Sequence, residues 1–398
     1  MRTRRARKMG AALAAVAAAV GWARLPVSAA TTVQALPVAS GLNYPAMFTV
    51  APDGRLFYSE RTTGRIGVFN PAGGTDATYF QVPDLCAASD QGLYGVALHP
   101  SFPQPASVYV YATRRLGDGS CANQVLKLDG TSTQATSMAV LISDPYTSGH
   151  IGGRVEFGPD GNLYVSTGDG SDASPTLQQS QASRAAVQNV QSLKGKILRM
   201  TPAGAVPSGN PFGNVVFAYG FRNVFGFDFE PSKGKMWAVD NGPDPSDYAG
   251  APAGKGPAGG CNDELDRVLS GSNQGWGPTG SCATPPKPPR NTNRDGRNPL
   301  LPKLNIEVAS GVTGGRFCSG CGLGSAFEGN LFYVRYSYNN GLGEIHAAKL
   351  DAQKTRVVSD TLVYRAAGPS PLSIERGPDG ALYFSDPQGI YKLVLGSA

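Results

Sequence analysis

Four features are scarce in this 398-residue chain: histidine, helical periodicity, long apolar runs and, beyond residue 29, net charge. Six of the 35 lysines and arginines lie in residues 1–29 with no acidic residue, so 29 basic residues remain to balance 29 acidic ones. This balance argues against a protein that binds nucleic acid or an anionic membrane by charge. No later run is long and apolar enough to span a bilayer, which argues against a membrane anchor. The near absence of helical periodicity argues against a helical fold.

The first 29 residues have the three parts of an export signal. A basic run at 2–8 precedes an apolar stretch at 9–20, and Val27-Ser28-Ala29 offers a small-residue cleavage site. The Arg4-Arg5 pair leaves the general and the twin-arginine export routes both open, and no cysteine lies near the cleavage site for a lipid anchor. We therefore expect a signal peptide at 1–29. The remaining chain, 30–398, is expected to be a soluble periplasmic or extracellular protein.

The cysteines form an even set, as expected of a disulfide-bonded exported protein. Six cysteines allow fifteen pairings. Chain proximity favours three local pairs, Cys86–Cys121, Cys261–Cys282 and Cys318–Cys321. The Cys-Ser-Gly-Cys spacing of the last pair also suits a redox pair or half of a zinc site. Because no second such motif and no βαβ context accompanies it, a structural role is favoured.

A turn followed by an apolar and aromatic strand occurs six times. Each copy starts with Pro-Asp-Gly or an equivalent turn and continues with alternating large apolar residues, the pattern of a half-buried strand. The copies are APDGRLFYSE (51–60), FPQPASVYVYAT (102–113), GPDGNLYVSTGD (158–169), PSKGKMWAVDNG (231–242), FEGNLFYVRY (327–336) and GPDGALYFSD (377–386). A second strand-like segment follows each copy.

Six repeated strand pairs predict an all-β fold, a six-bladed β-propeller extending from about residue 36 to 395. An open sandwich also uses short strands, but it does not explain six copies of one unit. The segment TVQALPVASGL near residue 32 is expected to close the ring by completing the last blade. The spacing of the copies predicts long loops after the third and fourth anchors, in 170–194 and 240–305.

Polar residues stand at the ends of several of these strands. They are Gln91 beside a glycine, His150 beside glycines, Asp169 after a strand, Arg222-Asn223 in an aromatic run, and Asn241-Gly242-Pro243. Strand ends surround the central channel of a propeller, so these groups are expected to converge there. Taken singly, each also fits a structural role: a packed histidine, a turn aspartate, a buried ion pair or a plain turn.

Their order and spacing resemble the soluble glucose/sorbosone dehydrogenases, the quinoprotein aldose sugar dehydrogenases that use pyrroloquinoline quinone (PQQ). The similarity extends over most of 36–395. The matching motifs are Q-G-L-x-G-x-A-L-H-P (91–100), H-x-G-G-R (150–154), L-x-G-K-I-L-R (193–199), G-x-R-N (220–223), DNGP (240–243) and NDELDRV (262–268).

The resemblance implies a role for each polar residue. His150 matches the base that takes the proton from the anomeric hydroxyl of the sugar, and an imidazole with a reference pKa of about 6.5 suits that task. Asp169 matches the carboxylate that orients the base, and Arg222 the cation that stabilises the reduced quinone. Asn223 and Asn241 match cofactor contacts, together with Arg222, and Gln91 matches a residue that faces the sugar. The carbonyls of Gly242 and Pro243 match ligands of a calcium ion, which prefers oxygen.

The match fails where the family binds the cofactor carboxylates. Two arginines are expected near the start of the last blade, and this chain has Ser370 and Leu372 there. Ser319 stands where some members have a lysine, and Arg316 and Arg376 are neighbouring cations that could substitute.

Two functions therefore stay open. One is a PQQ- and calcium-dependent dehydrogenase that oxidises an aldose to a lactone with hydride transfer to PQQ. The other is a calcium-containing propeller that binds a carbohydrate or another ligand without turnover. Retention of His150, Asp169 and Arg222 together favours the enzyme. A propeller lactonase fits less well, because it would need a carboxylate-rich metal site. The sequence identifies neither the sugar nor the external electron acceptor.

Overall fold

The computed structural model describes residues 32–147, 149–170, 185–242, 263–276, 299–306, 311–336 and 343–396. Within these residues, 24 strands form six four-stranded antiparallel sheets. The strands are β1 Val33–Ser40, β2 Pro45–Val50, β3 Leu56–Glu60, β4 Arg65–Asn70, β5 Thr75–Gln81, β6 Leu93–Leu98, β7 Ser107–Arg115, β8 Cys121–Gly130, β9 Ala135–Pro145, β10 Gly152–Phe157, β11 Leu163–Thr167, β12 Lys196–Met200, β13 Val216–Tyr219, β14 Val224–Phe229, β15 Met236–Asp240, β16 Glu264–Val268, β17 Leu304–Asn305, β18 Val312–Phe317, β19 Leu331–Arg335, β20 Glu344–Leu350, β21 Val357–Arg365, β22 Ser373–Arg376, β23 Leu382–Asp386 and β24 Gly389–Leu395.

The sheets are the blades of a six-bladed β-propeller, as the sequence predicts. The six repeated strands are the second strands of the blades, β3, β7, β11, β15, β19 and β23, and the segments after them are the third strands. β3, β11 and β15 have every residue buried, which is why their apolar character is visible in the sequence.

The last blade is closed by the first strand of the structure. β1 pairs antiparallel with β24, from Val33 opposite Leu395 to Ser40 opposite Gly389. The sequence prediction that the segment after residue 31 completes the ring is therefore confirmed.

The first strands of the blades, β2, β6, β10, β14, β18 and β22, line the central channel and contact one another around the ring. Glycines allow the closest of these approaches. An ideal Cβ on Gly95 of β6 would overlap the carbonyl oxygen of Gly153 in β10. One on Gly226 of β14 would lie 2.5 Å from the backbone nitrogen of Gly315 in β18. Adjacent first strands therefore pack backbone against backbone at these points.

Buried ion pairs fill the channel along these strands. Arg154 in β10 bonds to Glu156 on its own strand and to Glu375 in β22. Arg316 in β18 bonds to Glu156, to Asp228 in β14 and to Glu375. Burial alone would raise the pKa of Glu156, but the guanidinium groups of Arg316 and Arg154 outweigh this effect and hold the pKa below its ordinary value. The network ties blades three to six together across the channel.

Two of the predicted disulfides are present. Cys86–Cys121 joins the chain before β6 to β8, and Cys318–Cys321 closes a four-residue loop after β18. Because both sulfurs of the second pair are in a disulfide, they are not zinc-binding thiolates beside the neighbouring Glu328. Cys261, Cys282, Pro243 and the predicted signal peptide lie outside the described residues. The described part contains no helix with the length and apolar character needed to cross a membrane.

Candidate active site

A cavity of about 660 Å³ opens at one end of the channel. Its lining comes from all six blades, from the starts of first strands and the chain before them, and from the chain just after second strands; Asp263, just before β16, adds one residue next to a third strand. Because these two strands are antiparallel, both positions fall on the same edge of the propeller. The lining residues are Tyr44, Ala46, Met47, Arg61, Ser89, Asp90, Tyr94, His150, Arg222, Asn223, Phe225, Asn241, Gly242, Asp263, Gly311, Thr313, Tyr336 and Leu372.

His150 enters this cavity from the chain before β10. Its Nδ1 lies 2.9 Å from Oδ1 of Asp169, which is fully buried behind it. A carboxylate at that distance holds the proton on Nδ1 and leaves Nε2 as the basic atom of the ring. The backbone N–H of His150 donates to Oδ2 of Asp90 at 3.0 Å, and its φ of 48° is in the left-handed region. The Asp169 contact thus fixes the imidazole, and the Asp90 contact fixes the strained main chain that carries it.

Trp276 links Asp169 to Arg222. Its indole Nε1–H donates to Oδ2 of Asp169 at 2.7 Å, and the guanidinium of Arg222 lies over its ring at 5.8 Å from the centroid. Asp169 also donates its backbone N–H to the carbonyl of Arg222 at 2.7 Å. The imidazole, its carboxylate and the guanidinium therefore form one connected group, although Trp276 is 107 positions after Asp169 in the chain.

The backbone turn that carries Arg222 and Asn223 is held by Asp240 at the end of β15. The two carboxylate oxygens of Asp240 accept the N–H groups of Arg222 at 3.0 Å and Asn223 at 2.7 Å. The Oδ1 of Asn223 in turn accepts the N–H of Gly152 at 3.0 Å. Burial raises the pKa of Asp240 to about 6.

The predicted calcium ligand Gly242 lies among acidic side chains. Its N–H donates to Oδ1 of Asp263 at 2.9 Å. A second, smaller cavity beside it is lined in part by Asp240, Asn241, Glu264 and Gln274. Burial, and then repulsion by neighbouring carboxylates, raises the pKa of Glu264 well above its ordinary value. Carboxylate and carbonyl oxygens are the donors that calcium prefers, so this corner fits a divalent cation.

The structure brings most of the predicted residues together. His150, Arg222, Asn223, Asn241 and Gly242 line the main cavity, and Asp169 lies behind His150. Asn241 donates from Nδ2 to the carbonyls of Asn223 at 3.0 Å and Val312 at 2.7 Å. The side chain of Asn241 is therefore already engaged in holding blades four and five together at the cavity edge.

Gln91 is placed differently from its predicted role. Its Oε1 accepts the N–H of Ala88 at 3.1 Å within its own loop, and it is not among the residues that line the cavity. Ser89 and Asp90 of the same loop reach the cavity instead. The side chain of Gln91 therefore completes its own loop and does not line the cavity.

The cations offered as substitutes for the missing arginine pair are also placed elsewhere. Leu372 lines the cavity, whereas Arg316 is engaged by Glu156, Asp228 and Glu375 in the channel. Arg376 donates to the carbonyl of Phe317 at 3.3 Å. Neither lines the cavity, because both lie near the far ends of their strands, away from the cavity.

Sequence reasoning missed Arg61, Tyr44, Tyr336 and Trp276. Arg61 and Tyr336 each follow directly after a second strand, β3 and β19. Asn241 has the same position after β15. Comparing this one position across the six repeats would have identified both residues. Trp276 carries no such signal, since it follows β16 in a loop of its own.

The sequence model of the glucose/sorbosone dehydrogenase family matches residues 42–393. An uncharacterized protein of Synechocystis is 28% identical over 377 residues, covering 88% of this chain and 83% of that protein. Quinoprotein glucose dehydrogenase B of Acinetobacter calcoaceticus is 29% identical over 266 residues, 60% of this chain and 51% of that protein.

Among solved structures, the PQQ-bound aldose sugar dehydrogenase of Streptomyces coelicolor has the same fold. It aligns with a TM-score of 0.70 at 23% identity, over 92% of this chain and 98% of that one. The family match extends over nearly all of the propeller and includes the motifs around His150, Asp169 and Arg222. This chain therefore belongs to the glucose/sorbosone dehydrogenase family and is an aldose sugar dehydrogenase-like propeller.

Proposed function

We propose that this protein is an exported PQQ- and calcium-dependent dehydrogenase that oxidises the anomeric hydroxyl of an aldose to a lactone. The observation that carries the proposal is the pairing of His150 with Asp169 in the same cavity as Arg222. A packed structural histidine needs neither a cavity before it nor a guanidinium beside it. A quinoprotein needs a base, its orienting carboxylate and a cation.

The residues that line the cavities have the chemical groups that PQQ and calcium would need. Arg61 and Arg222 line the cavity and match a ligand that carries carboxylates, and aromatic rings from Tyr94 and Phe225 pack edge to face at a centroid distance of 5.9 Å beside them. The carbonyl of Gly242, with Pro243 outside the described residues, would hold calcium next to the carboxylates of Asp263 and Glu264. When bound, PQQ supplies the acceptor for the hydride of the sugar.

The chain's own residues supply the proton chemistry. Because Asp169 holds Nδ1–H, Nε2 of His150 accepts the proton of the sugar hydroxyl. The Asp169 carboxylate then stabilises the imidazolium that forms. Arg222, stacked on Trp276, supplies the positive charge that stabilises negative charge developing on the acceptor.

The decisive test measures sugar-dependent dye reduction by purified protein loaded with PQQ and calcium. His150→Ala should lower kcat by about 10²- to 10⁴-fold, because it removes the general base. Asp169→Asn should lower kcat over a similar range, about 10²- to 10⁴-fold, because an amide facing Nδ1 favours the wrong tautomer.

His346→Ala is the matched control. His346 is equally buried and has the same imidazole–carboxylate pairing, with Nδ1 3.0 Å from Oδ2 of Asp360, but it lies in blade five outside the cavity. This variant should keep its kcat. The proposal is contradicted if His150→Ala stays active while losing stability, or if the two histidine variants lose activity equally.

One observation favours the second function, a propeller that binds a carbohydrate or related ligand without turnover. Leu372 lines the cavity where family members have an arginine, so the cofactor loses one charged contact. Calorimetry with aldoses in the absence of PQQ separates the two functions. Sugar binding without any PQQ binding would support this alternative.

The export signal has its own test. Expression of the full chain in a bacterial host, followed by mass measurement of the protein from the periplasm or medium, should give a product cleaved after Ala29. An uncleaved protein that stays in the cytoplasm would contradict the proposed export.

A further inference from the structure

Arg61 differs from the arginines of the channel in lacking a carboxylate partner. Arg154 and Arg316 each bond to two or more acidic side chains. Arg61 forms no ion pair with any residue in the described part of the chain, although it is half-buried and lines the cavity. A partly desolvated guanidinium is stabilised when an anion neutralises it, so a guanidinium without an ion pair at a cavity wall indicates an anion-binding position.

The hydrogen bonds of Arg61 leave part of the guanidinium available. Nη1 donates to the carbonyls of Ser89 at 2.6 Å and Gln91 at 3.3 Å, and to the hydroxyl of Tyr94 at 3.2 Å. Nη2 makes no bond to a described residue, and Nε is buried without an acceptor. One nitrogen thus anchors the side chain on the 88–91 loop, while the donors of Nη2 are left for a ligand.

Arg61 and Arg222 approach the cavity from opposite sides. Arg61 follows β3 in the first blade and Arg222 precedes β14 in the fourth, and in a ring of six these two blades face each other. The guanidinium of Arg61 lies over the ring of Tyr44 at 5.6 Å, as that of Arg222 lies over Trp276. Two opposed cations, each backed by an aromatic ring, suit a flat aromatic ligand that is negatively charged at both ends.

We propose that Arg61 binds a carboxylate of a flat aromatic polycarboxylate in this cavity, and that this ligand is the quinone cofactor. The identity of the ligand rests on the proposed function; the anion-binding role of Arg61 rests on its geometry. Asp90, the acid nearest in sequence to the Arg61 contacts, attracts Arg61 electrostatically but forms no ion pair with it, and its Oδ2 accepts the backbone N–H of His150. The carboxylate contact would therefore come from the first blade of the propeller.

The test is a calorimetric titration of calcium-loaded protein with PQQ and with its trimethyl ester, which lacks the carboxylate charges. Arg61→Gln should weaken PQQ binding by about 10- to 100-fold, because a charge-assisted contact is lost. Arg61→Lys, which keeps the charge without the fork of donors, should lie between wild type and Arg61→Gln. The ester should bind wild type and both variants alike.

Arg55→Gln is the matched control. Arg55 lies in the same blade, with its guanidinium 5.6 Å from the ring of Phe57, but it pairs with Asp53 away from the cavity. This variant should bind PQQ as the wild type does. Thermal melting of every variant separates loss of the fold from loss of the contact.

Four results would overturn the proposal. If Arg61→Gln binds PQQ as tightly as wild type, Arg61 has no part in binding and the proposed dehydrogenase function stands without it. If the ester is weakened as much as PQQ, Arg61 acts only by holding the 88–91 loop. If Arg61→Gln loses affinity for glucuronate but not for PQQ, the carboxylate belongs to the substrate. Failure of wild type to bind PQQ overturns both the proposed function and this assignment.

Discussion

Replacing Glu375 by glutamine tests the ion-pair network of the channel. Glu375 is 1% exposed and accepts three charged hydrogen bonds, two from Arg154 and one from Nη2 of Arg316 at 2.8 Å. Glutamine keeps the shape but turns an NH₂ group towards two guanidinium groups. Breaking a buried pair in this way costs about 3–5 kcal/mol, because the two cations stay buried with less compensation.

Glu344→Gln provides the comparison for that magnitude. Glu344 also accepts bonds from an arginine, Arg365 at 2.7 Å, and lies near Arg335 and His346 at the surface, where the Arg365 side chain is 55% exposed. Water screens such a pair, so the same substitution there should cost about 1 kcal/mol or less. Urea unfolding followed by tryptophan fluorescence measures both free energies of unfolding. Equal losses at the two sites, or a loss below about 1 kcal/mol for Glu375→Gln, would refute the idea that the channel network stabilises the ring.

Two further predictions concern the backbone beside His150 and a buried lysine. In Gly168→Ala the new Cβ would overlap the carbonyl oxygen of His150. Both kcat and the free energy of unfolding should therefore fall, the latter by about 1–3 kcal/mol. Gly117→Ala, which has open space around it, should leave dye reduction and thermal melting unchanged. Burial lowers the pKa of Lys196 to about 7. The buried lysine therefore destabilises the fold when it is charged, and this penalty decreases as the pH rises from 7 towards 10. The free energy of unfolding of wild type relative to Lys196→Met should therefore rise between pH 7 and 10, and a flat difference would contradict the assigned pKa.

The sequence predicted the second and third strands of every blade better than the others. β3 and β11 are buried throughout and follow a Pro-Asp-Gly turn, so composition and turn chemistry agree. The outer strands β9 and β21 are mostly exposed, and β17 has only two residues. An exposed edge strand needs no apolar alternation, so no pattern in the sequence marks it.

The site was predictable where one motif contains the interacting residues and unpredictable where the ring brings them together. His150 and Asp169 are separated by 19 positions on adjoining segments of one blade, and their pairing follows from the strand between them. Trp276 reaches Asp169 from the next blade, and Arg61 faces Arg222 from across the ring. The sequence alone does not show how the loop after a strand is oriented, or whether the side chains of that loop reach the cavity. Gln91, which folds back on its own loop, shows the same limit.

The pairing of β1 with β24 makes the described chain nearly circular. The N–H of Gly396 donates to the carbonyl of Thr32 at 2.7 Å, so the first and last described residues are hydrogen-bonded neighbours. No blade is then special as the start of the ring, since every blade contacts two others in the same way. A permuted chain that joins these two residues by a short linker and opens at the exposed turn between β4 and β5, on the edge of the propeller away from the cavity, should form the same cavity. The order of the blades around the channel, rather than the point at which the chain begins, is what assembles His150, Arg222 and Arg61.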